Sequence, residues 1–545
     1  MLVSFLGFLL YIARGVALPV SVPSPTVTID SGPIVGTTTS LPSSTVVVEK
    51  YLGVPFAQSP TRFEPSKPVS SWSTPYNATQ WGPGCIQQIG PTDQTFYREL
   101  GIITPDGGES EDCLNLNVFT PSSKGSRPVL FWIYGGGYAN GASSFGIYDG
   151  SSFAAHQDVV VVTSNYRTNV FGFPGGDVPT KHANLGLLDQ RLALDWVQRN
   201  IDKLGGDPSQ VTIMGESAGA GSVDALLTSA PDPLPFRAAI MESGQASVRS
   251  SPSDNVQSYS QSWDTLLSVT GCSANWTESS SDKLGCLRDV PATKIREILD
   301  NSNLTFGPRM DGVSWSAAPR LSRLDSRLEN SSFARVPIMA GYNADEAKPF
   351  IVGMNNTKRF LEGYNLGLFS DAFIKEYPLG APGIHTENDR ISAIYTDIAM
   401  HCPIATLAND SSSVDIPTWR YFFNASFPNQ EIFKGSGAFH SAEIPYVFGT
   451  YKTEGATAFE REVSQSMQKA WAAFAKNPTN GPGWDTVSTI GLFGDGVKVG
   501  MSAKERSRLP LWIRAWISDA RCIKHFMTST YFPTTSRGPY AAGDS

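Results

Sequence analysis

Basic residues are in the minority in this chain: 42 Lys and Arg stand against 50 Asp and Glu, for a formal net charge of -8. Nucleic-acid binding demands a basic face, so this balance argues against it. Histidine is scarce as well, with six in 545 residues. No His/Cys/Asp/Glu group falls at metal-ligand spacing. The glycine triplet Gly135-Gly136-Gly137 lacks the G-x-x-x-x-G-K-[ST] context of a phosphate loop, so neither metal nor other cofactor is expected. Internal repeats are missing, and low-complexity sequence is confined to the N-terminus.

Long apolar runs are equally rare. The longest, residues 1–13, is short for a membrane span and is followed by Gly15-Val16-Ala17, a small-residue cleavage site. It reads as a signal peptide over 1–17 ahead of a mature chain over 18–545, with a short signal anchor as the alternative. No second span, KDEL-type signal or lipid-anchor tail stands out. The six cysteines, an even number, suggest disulfides and allow 15 pairings. Seven N-x-S/T sequons, at Asn77, Asn275, Asn303, Asn330, Asn355, Asn409 and Asn424, suit a secretory route. A soluble, secreted protein without a stable membrane span is the expectation.

What the chain does have is a G-x-S-x-G pentapeptide, Gly215-Glu216-Ser217-Ala218-Gly219, between the apolar run Val211-Thr212-Ile213-Met214 and a small-residue helix start. A serine presented on a sharp strand-to-helix turn needs neighbours without bulk, and Gly215 and Gly219 provide that room. Upstream, residues 128–134 read as a buried strand running into the glycine triplet. Such a triplet can aim backbone N–H groups at an oxyanion; its plainer reading is a flexible turn.

A serine nucleophile needs an adjacent base, and the base an orienting carboxylate. His156 and His182 precede Ser217, against the chain order Ser, acid, His. Of the remaining four, His385, His401, His440 and His525, His440 lies in the glycine-rich stretch 435–444, which suits an imidazole at a loop tip. His401 adjoins Cys402 and His525 follows Cys522, so both read as surface or packing residues. For the acid, the short apolar strand from Val336 ends in two carboxylates, Asp345 and Glu346.

These motifs, with residues 51–57, 111–118, 165–167, 184–191 and 205–208, resemble the type-B carboxylesterase/lipase family, which includes cholinesterases and secreted fungal lipases. The resemblance covers nearly the whole mature chain. It implies an α/β-hydrolase fold in a single large domain and a serine carboxylic ester hydrolase working through an acyl-enzyme. It selects Glu346 over Asp345, although Ala347 stands where the family usually has glycine. It implies an oxyanion site from Gly136, Gly137 and Ala218, and supporting roles for Glu216 and Ser243. Glu216 is otherwise a buried polar residue satisfied by its loop network. The implied disulfides are Cys85 with Cys113, Cys272 with Cys286 and Cys402 with Cys522; the implied ion pairs are Arg62 with Glu111 and Arg167 with Asp189.

In the family the loop matching 86–112 is a lid or gorge wall. Here it contains no tryptophan to hold a quaternary ammonium, with Phe96 and Tyr97 as its aromatic residues, and it carries six acidic side chains. A small, soluble or modestly hydrophobic ester is expected as the partner molecule. The alternatives are a lipase for long-chain acylglycerols, a pathway-specific esterase or acyltransferase of secondary metabolism, or a catalytically silent adhesion or scaffold protein.

The coarse pattern agrees with a mostly parallel sheet flanked by helices: apolar strands such as 158–164 and 237–241 alternate with amphipathic helices. Spacing predicts a helix over 185–201 with Leu188, Leu192 and Trp196 on its sheet face, and another over 460–476 with Val463, Met467, Trp471 and Phe474 inward.

Overall fold

The computed structural model describes residues 24–90, 94–176, 178–179, 182–247, 256–273, 280–487 and 489–494. The expected signal peptide over 1–17, the sequon Asn275, His525 and Cys522 lie outside them. A ten-stranded sheet forms the centre. Preceding and flanking it is a small three-stranded sheet of β1 (Thr26–Ile29), β2 (Gly32–Val35) and β5 (Tyr76–Asn77). The large sheet contains β3 (Thr37–Ser40), β4 (Val47–Pro55), β6 (Asn115–Thr120), β7 (Arg127–Ile133), β8 (Val160–Ser164), β9 (Gly206–Glu216), β10 (Ala238–Glu242), β11 (Ile338–Asn343), β12 (Thr418–Phe423) and β13 (Ile490–Phe493). Its spatial order is β13-β12-β11-β10-β9-β7-β8-β6-β4-β3.

The seven strands from β13 to β8 are parallel, and β6, β4 and β3 add an antiparallel edge. The parallel part is covered on both faces, which is why its strands read as continuous apolar runs: every residue of β8, β10, β11, β12 and β13 is buried. This is the single-domain α/β-hydrolase architecture expected from the motifs.

Two helices test the periodicity reading. The helix Ala458–Lys476 buries Val463, Met467, Trp471 and Phe474 as expected, and begins with a capping box between Thr457 and Glu460. The helix Leu185–Asn200 corrects its expectation: Leu188 and Leu192 are only half-buried, and the inward positions are Leu187, Gln190, Ala193, Leu194 and Val197, with Trp196 also buried. The stripe is rotated by about one residue because polar side chains claim the inner face. Asp189 is buried to receive the Arg167 guanidinium, and Gln190 donates to Ser222 Oγ at 3.0 Å.

The run 387–413 is long and apolar enough to cross a membrane, but 78% of its apolar window is buried inside the protein. Its first part contributes Ile391, Ile394 and Ile398 to a second apolar core with Ile351, Leu361 and Phe373, separate from the main core. Cys85–Cys113 and Cys272–Cys286 are disulfide-bonded, as the resemblance implied. The pair Cys402–Cys522 has its second cysteine outside the described residues. Arg62 meets Glu111 at 2.6 Å and Arg167 meets Asp189 at 2.8 Å, so both implied ion pairs are present.

Candidate active site

Ser217 leaves β9 at φ 54° and ψ -121° and caps the helix Ala218–Thr228. A non-glycine residue at such a φ is strained and persists only where its surroundings hold it. The two glycines are what permit it. A Cβ on Gly219 would sit 2.0 Å from the Ile133 carbonyl oxygen, and one on Gly215 would sit 2.6 Å from the Gly219 carbonyl carbon. The Ser217 N–H is anchored by donating to the Glu242 carbonyl at 2.8 Å, across the strand junction.

The glycine triplet follows β7, the neighbour of β9. Gly136 (φ 100°) and Gly137 (φ 62°) turn the backbone sharply, and Asn140 crowds the place where a Gly136 side chain would go. Ala218 is the first residue of the helix, so its N–H has no intrahelical acceptor and stands at the positive end of the helix dipole.

His440 arrives from the opposite side on a loop after β12. Three contacts fix that loop. Asp345 and Ala438 exchange two hydrogen bonds, Asp345 N–H donating to Ala438 O at 2.9 Å and Ala438 N–H to Asp345 Oδ2 at 3.1 Å. Asn343 Nδ2 donates to the Phe439 carbonyl at 2.8 Å. Gly437, at φ 64°, leaves the space that Asp345 Oδ2 fills.

His440 Nδ1 lies 2.6 Å from Glu346 Oε2, both residues being buried. Glu346 Oε1 accepts from the Asn343 N–H at 2.6 Å and from Ser243 Oγ at 2.7 Å. Asp345, the other carboxylate of the pair, turns away to the loop and to the Lys348 side, so Glu346 is the acid that meets the imidazole. The alanine at 347 is fully buried in the second core and does not disturb this turn.

Glu216 Oε1 accepts from Ser441 Oγ at 2.7 Å and lies 3.2 Å from His440 Nε2. Glu216, the residue before Ser217 at the end of β9, therefore stands before this imidazole nitrogen. Burial disfavours the charged imidazole, but Glu216 first and Glu346 next outweigh it, and the His440 pKa is pushed up to about 9. Burial raises Glu216 above the ordinary carboxylate range, against the pull of His440 and Ser441. Phe350 lies against His440, ring centroids 5.4 Å apart, and Phe96 of the helix Gln94–Glu99 lies against Phe350 at 5.8 Å. The disulfide loop thus reaches the imidazole through one aromatic side chain.

Sequence reasoning missed Glu443, Asn343 and Glu242. Glu443 is fully buried, accepts from Asn343 Nδ2, and faces Ser243 Oγ at 3.5 Å. Burial, then Glu216 and Glu242, drive its pKa well above the usual carboxylate range. The signal available was a lone carboxylate inside an apolar run, in 441–448 for Glu443 and 237–242 for Glu242. His401, read as a surface or packing residue, is a packing residue: it is buried, with Nδ1 2.8 Å from Asp397 Oδ1 and its ring stacked on Tyr342. Among the sequons, Asn77, Asn303, Asn330, Asn355 and Asn409 are exposed and Asn424 is half-buried.

Residues 23–490 match the model of the carboxylesterase family. Relatives include carboxylesterase 1C of Rattus norvegicus, 34% identical with 84% of this chain and 86% of that one aligned. A cholinesterase of Mus musculus is 33% identical over 80% of this chain and 76% of its own. A chlorogenic acid esterase of Aspergillus niger is 31% identical over 80% of each. With the family spanning most of the chain and the α/β-hydrolase sheet beneath the site, this protein belongs to the carboxylesterase family and is a serine hydrolase of carboxylic esters.

Proposed function

We propose that Ser217, His440 and Glu346 act as the catalytic triad of a secreted carboxylesterase. The observation that carries this reading is the 2.6 Å contact of His440 Nδ1 with Glu346, which directs Nε2 toward the end of β9 where Ser217 is held in a strained turn. Ser217 Oγ attacks the ester carbonyl while His440 Nε2 takes its proton; Glu346 fixes the tautomer and stabilises the imidazolium. His440 returns the proton to the leaving alcohol, and water repeats the sequence on the acyl-enzyme. The N–H groups of Gly136, Gly137 and Ala218 hold the tetrahedral oxyanion, each donor contributing about 10²- to 10³-fold in rate. Ser243 and Glu216 act through the triad, the first on Glu346 and the second on His440.

The substrate is a small, neutral carboxylic ester of soluble to modest hydrophobicity. The disulfide loop 86–112 has no tryptophan to hold a quaternary ammonium and presents Phe96 and Tyr97 with several acidic side chains, which suits neither a choline ester nor a long acylglycerol. Export through a signal peptide over 1–17 accords with the disulfides Cys85–Cys113 and Cys272–Cys286 and the exposed sequons.

The test is hydrolysis of p-nitrophenyl esters from acetate to palmitate by the purified protein, with Ser217→Ala as the blank. Ser217-dependent turnover peaking at short chains is expected. A maximum at palmitate would replace this reading with a lipase, and Ser217→Ala retaining more than a trace of activity would overturn the triad.

A further inference from the structure

Glu242 is a buried acid for which the triad chemistry has no use. It ends β10, and the sheet register sets it in a row: Glu216 on β9 pairs with Glu242, Glu242 with Gly341 on β11, and Gly341 with Tyr421 on β12. Residues paired this way in parallel strands share one face of the sheet. Gly341 has no side chain, and the Tyr421 ring occupies its place: a Cβ there would lie 2.3 Å from Tyr421 Cδ1. Tyr421 therefore reaches across β11 toward Glu242. The helix Ala458–Lys476 closes the row from above, with Trp471 Nε1 donating to Glu242 Oε1 at 2.7 Å and its ring 4.9 Å from that of Tyr421.

The other oxygen, Glu242 Oε2, and Tyr421 Oη are both buried without a partner among the described residues. The groups facing Glu242 are Glu216 from β9, Tyr421 from β12, Glu443 from the His440 loop and Trp471 from the helix, with Glu346 and His440 beyond Glu216 and Glu443. Among the described residues no Lys or Arg pairs with Glu216, Glu242, Glu346 or Glu443. Among the described residues the cationic group in contact with this cluster is the His440 imidazole, which touches Glu216 and Glu346, while Glu242 and Glu443 lie against it through Glu216; carboxyls so crowded cannot all ionise together.

We propose that Glu242 is a positioning residue of the esterase reaction: its carboxyl stays neutral while Glu216 is charged, and its ionisation at higher pH holds the proton on His440. The inference rests on His440 being the base. Burial, with Glu216 opposing a second charge, raises the Glu242 pKa to about 8, just below that of His440. The two groups therefore titrate over the same range, and each lost proton makes the other harder to lose.

The experiment is the pH profile of kcat/KM for p-nitrophenyl acetate between about pH 5 and 10, with Ser217→Ala as blank, for the wild type, Glu242→Gln and Tyr421→Phe. Glutamine keeps the acceptor for Trp471 and cannot ionise. The wild-type acid limb is expected to be stretched, with a slope below that of a single proton. In Glu242→Gln it becomes a one-proton limb whose midpoint is lower by about half a unit or more, a roughly threefold gain on the limb. Tyr421→Phe removes the hydroxyl able to solvate an ionised Glu242, and moves the profile part of the way in the same direction. A protonated-carboxyl C=O stretch present in the wild type at about pH 6 and lost in Glu242→Gln would support the proposal independently of activity. Profiles that superimpose after scaling, or a missing carboxyl band, overturn it and leave the triad standing. His440→Ala with an unchanged wild-type profile overturns the base assignment and this inference together.

Discussion

The two halves of the site are held by different means. The proposed nucleophile is placed by its backbone: a strained φ at Ser217, two glycines with no room for a Cβ, and a helix that begins at the next residue. The proposed acid and base are placed by side chains. Glu346 is gripped by Ser243 and the Asn343 N–H, and the His440 loop by Asp345 and Asn343 Nδ2, most of these contacts joining residues far apart in the chain. A backbone device works within one turn and leaves a short motif behind. A side-chain device needs the whole sheet to be folded first.

The largest effect should come from breaking the side-chain half at its centre. Glu346→Gln keeps the shape but not the charge that selects the tautomer and stabilises the imidazolium, and kcat should fall about 10⁴-fold with KM little changed. A loss below tenfold would mean that another carboxylate, Asp345 or Glu443, serves His440. The corresponding break in the backbone half is Gly219→Ala. Its Cβ would sit 2.0 Å from the Ile133 oxygen, so helix and strand must part and the serine must move. Displacement by a fraction of an ångström to one ångström costs on the order of 10²-fold in kcat, accompanied by a lower Tm. Wild-type kinetics in this variant would show that the turn tolerates bulk and that the glycine is not what shapes it.

Ser243→Ala sharpens the comparison, because Ser243 serves the side-chain half while itself sitting at φ 48° just past a strand end. Removing a hydroxyl that donates to a buried carboxylate costs roughly 1.5 to 3 kcal/mol, and the loss should appear in both Tm and kcat. If only Tm falls, Ser243 stabilises the fold without orienting Glu346.

This division also explains what could be read from the chain. The elbow, the glycine triplet and the histidine loop are local, and each announces itself within a short stretch of sequence. The parallel strands were visible because burial on both faces removes the polar alternation. The inward stripe of the helix Leu185–Asn200 was misplaced because Asp189 and Gln190 are buried for partners on other elements, Arg167 and Ser222. No periodicity of apolar residues contains that information. Glu443, Asn343 and Glu242 were invisible for the same reason: each matters through residues far away in sequence, and the row Glu216, Glu242, Gly341, Tyr421 exists only once four strands are in register. Glu346 itself could be separated from Asp345 only by resemblance, since two adjacent carboxylates look alike until one is seen facing the loop and the other the imidazole.

The smallest expected effect is also the one that separates electrostatics from position. Glu216→Gln removes the largest charge acting to hold a proton on His440, without touching the Glu346 contact. The sign follows from what a general base requires. As the proposed base, His440 must be neutral to accept the Ser217 proton, so activity is expected to rise with pH through its pKa, which Glu216 helps to push up to about 9. In the Glu216→Gln variant the imidazole gives up its proton at lower pH, so the acid limb of kcat/KM should move downward. Near neutral pH the variant gains in the fraction of active base what it loses in stabilising the imidazolium of the transition state. The plateau at high pH should therefore fall while the value near neutrality stays within a few-fold of the wild type. A limb that stays in place while the plateau falls would assign Glu216 to holding the loop through Ser441, and a limb that moves upward would mean that the charge next to the imidazole is not the one that governs it.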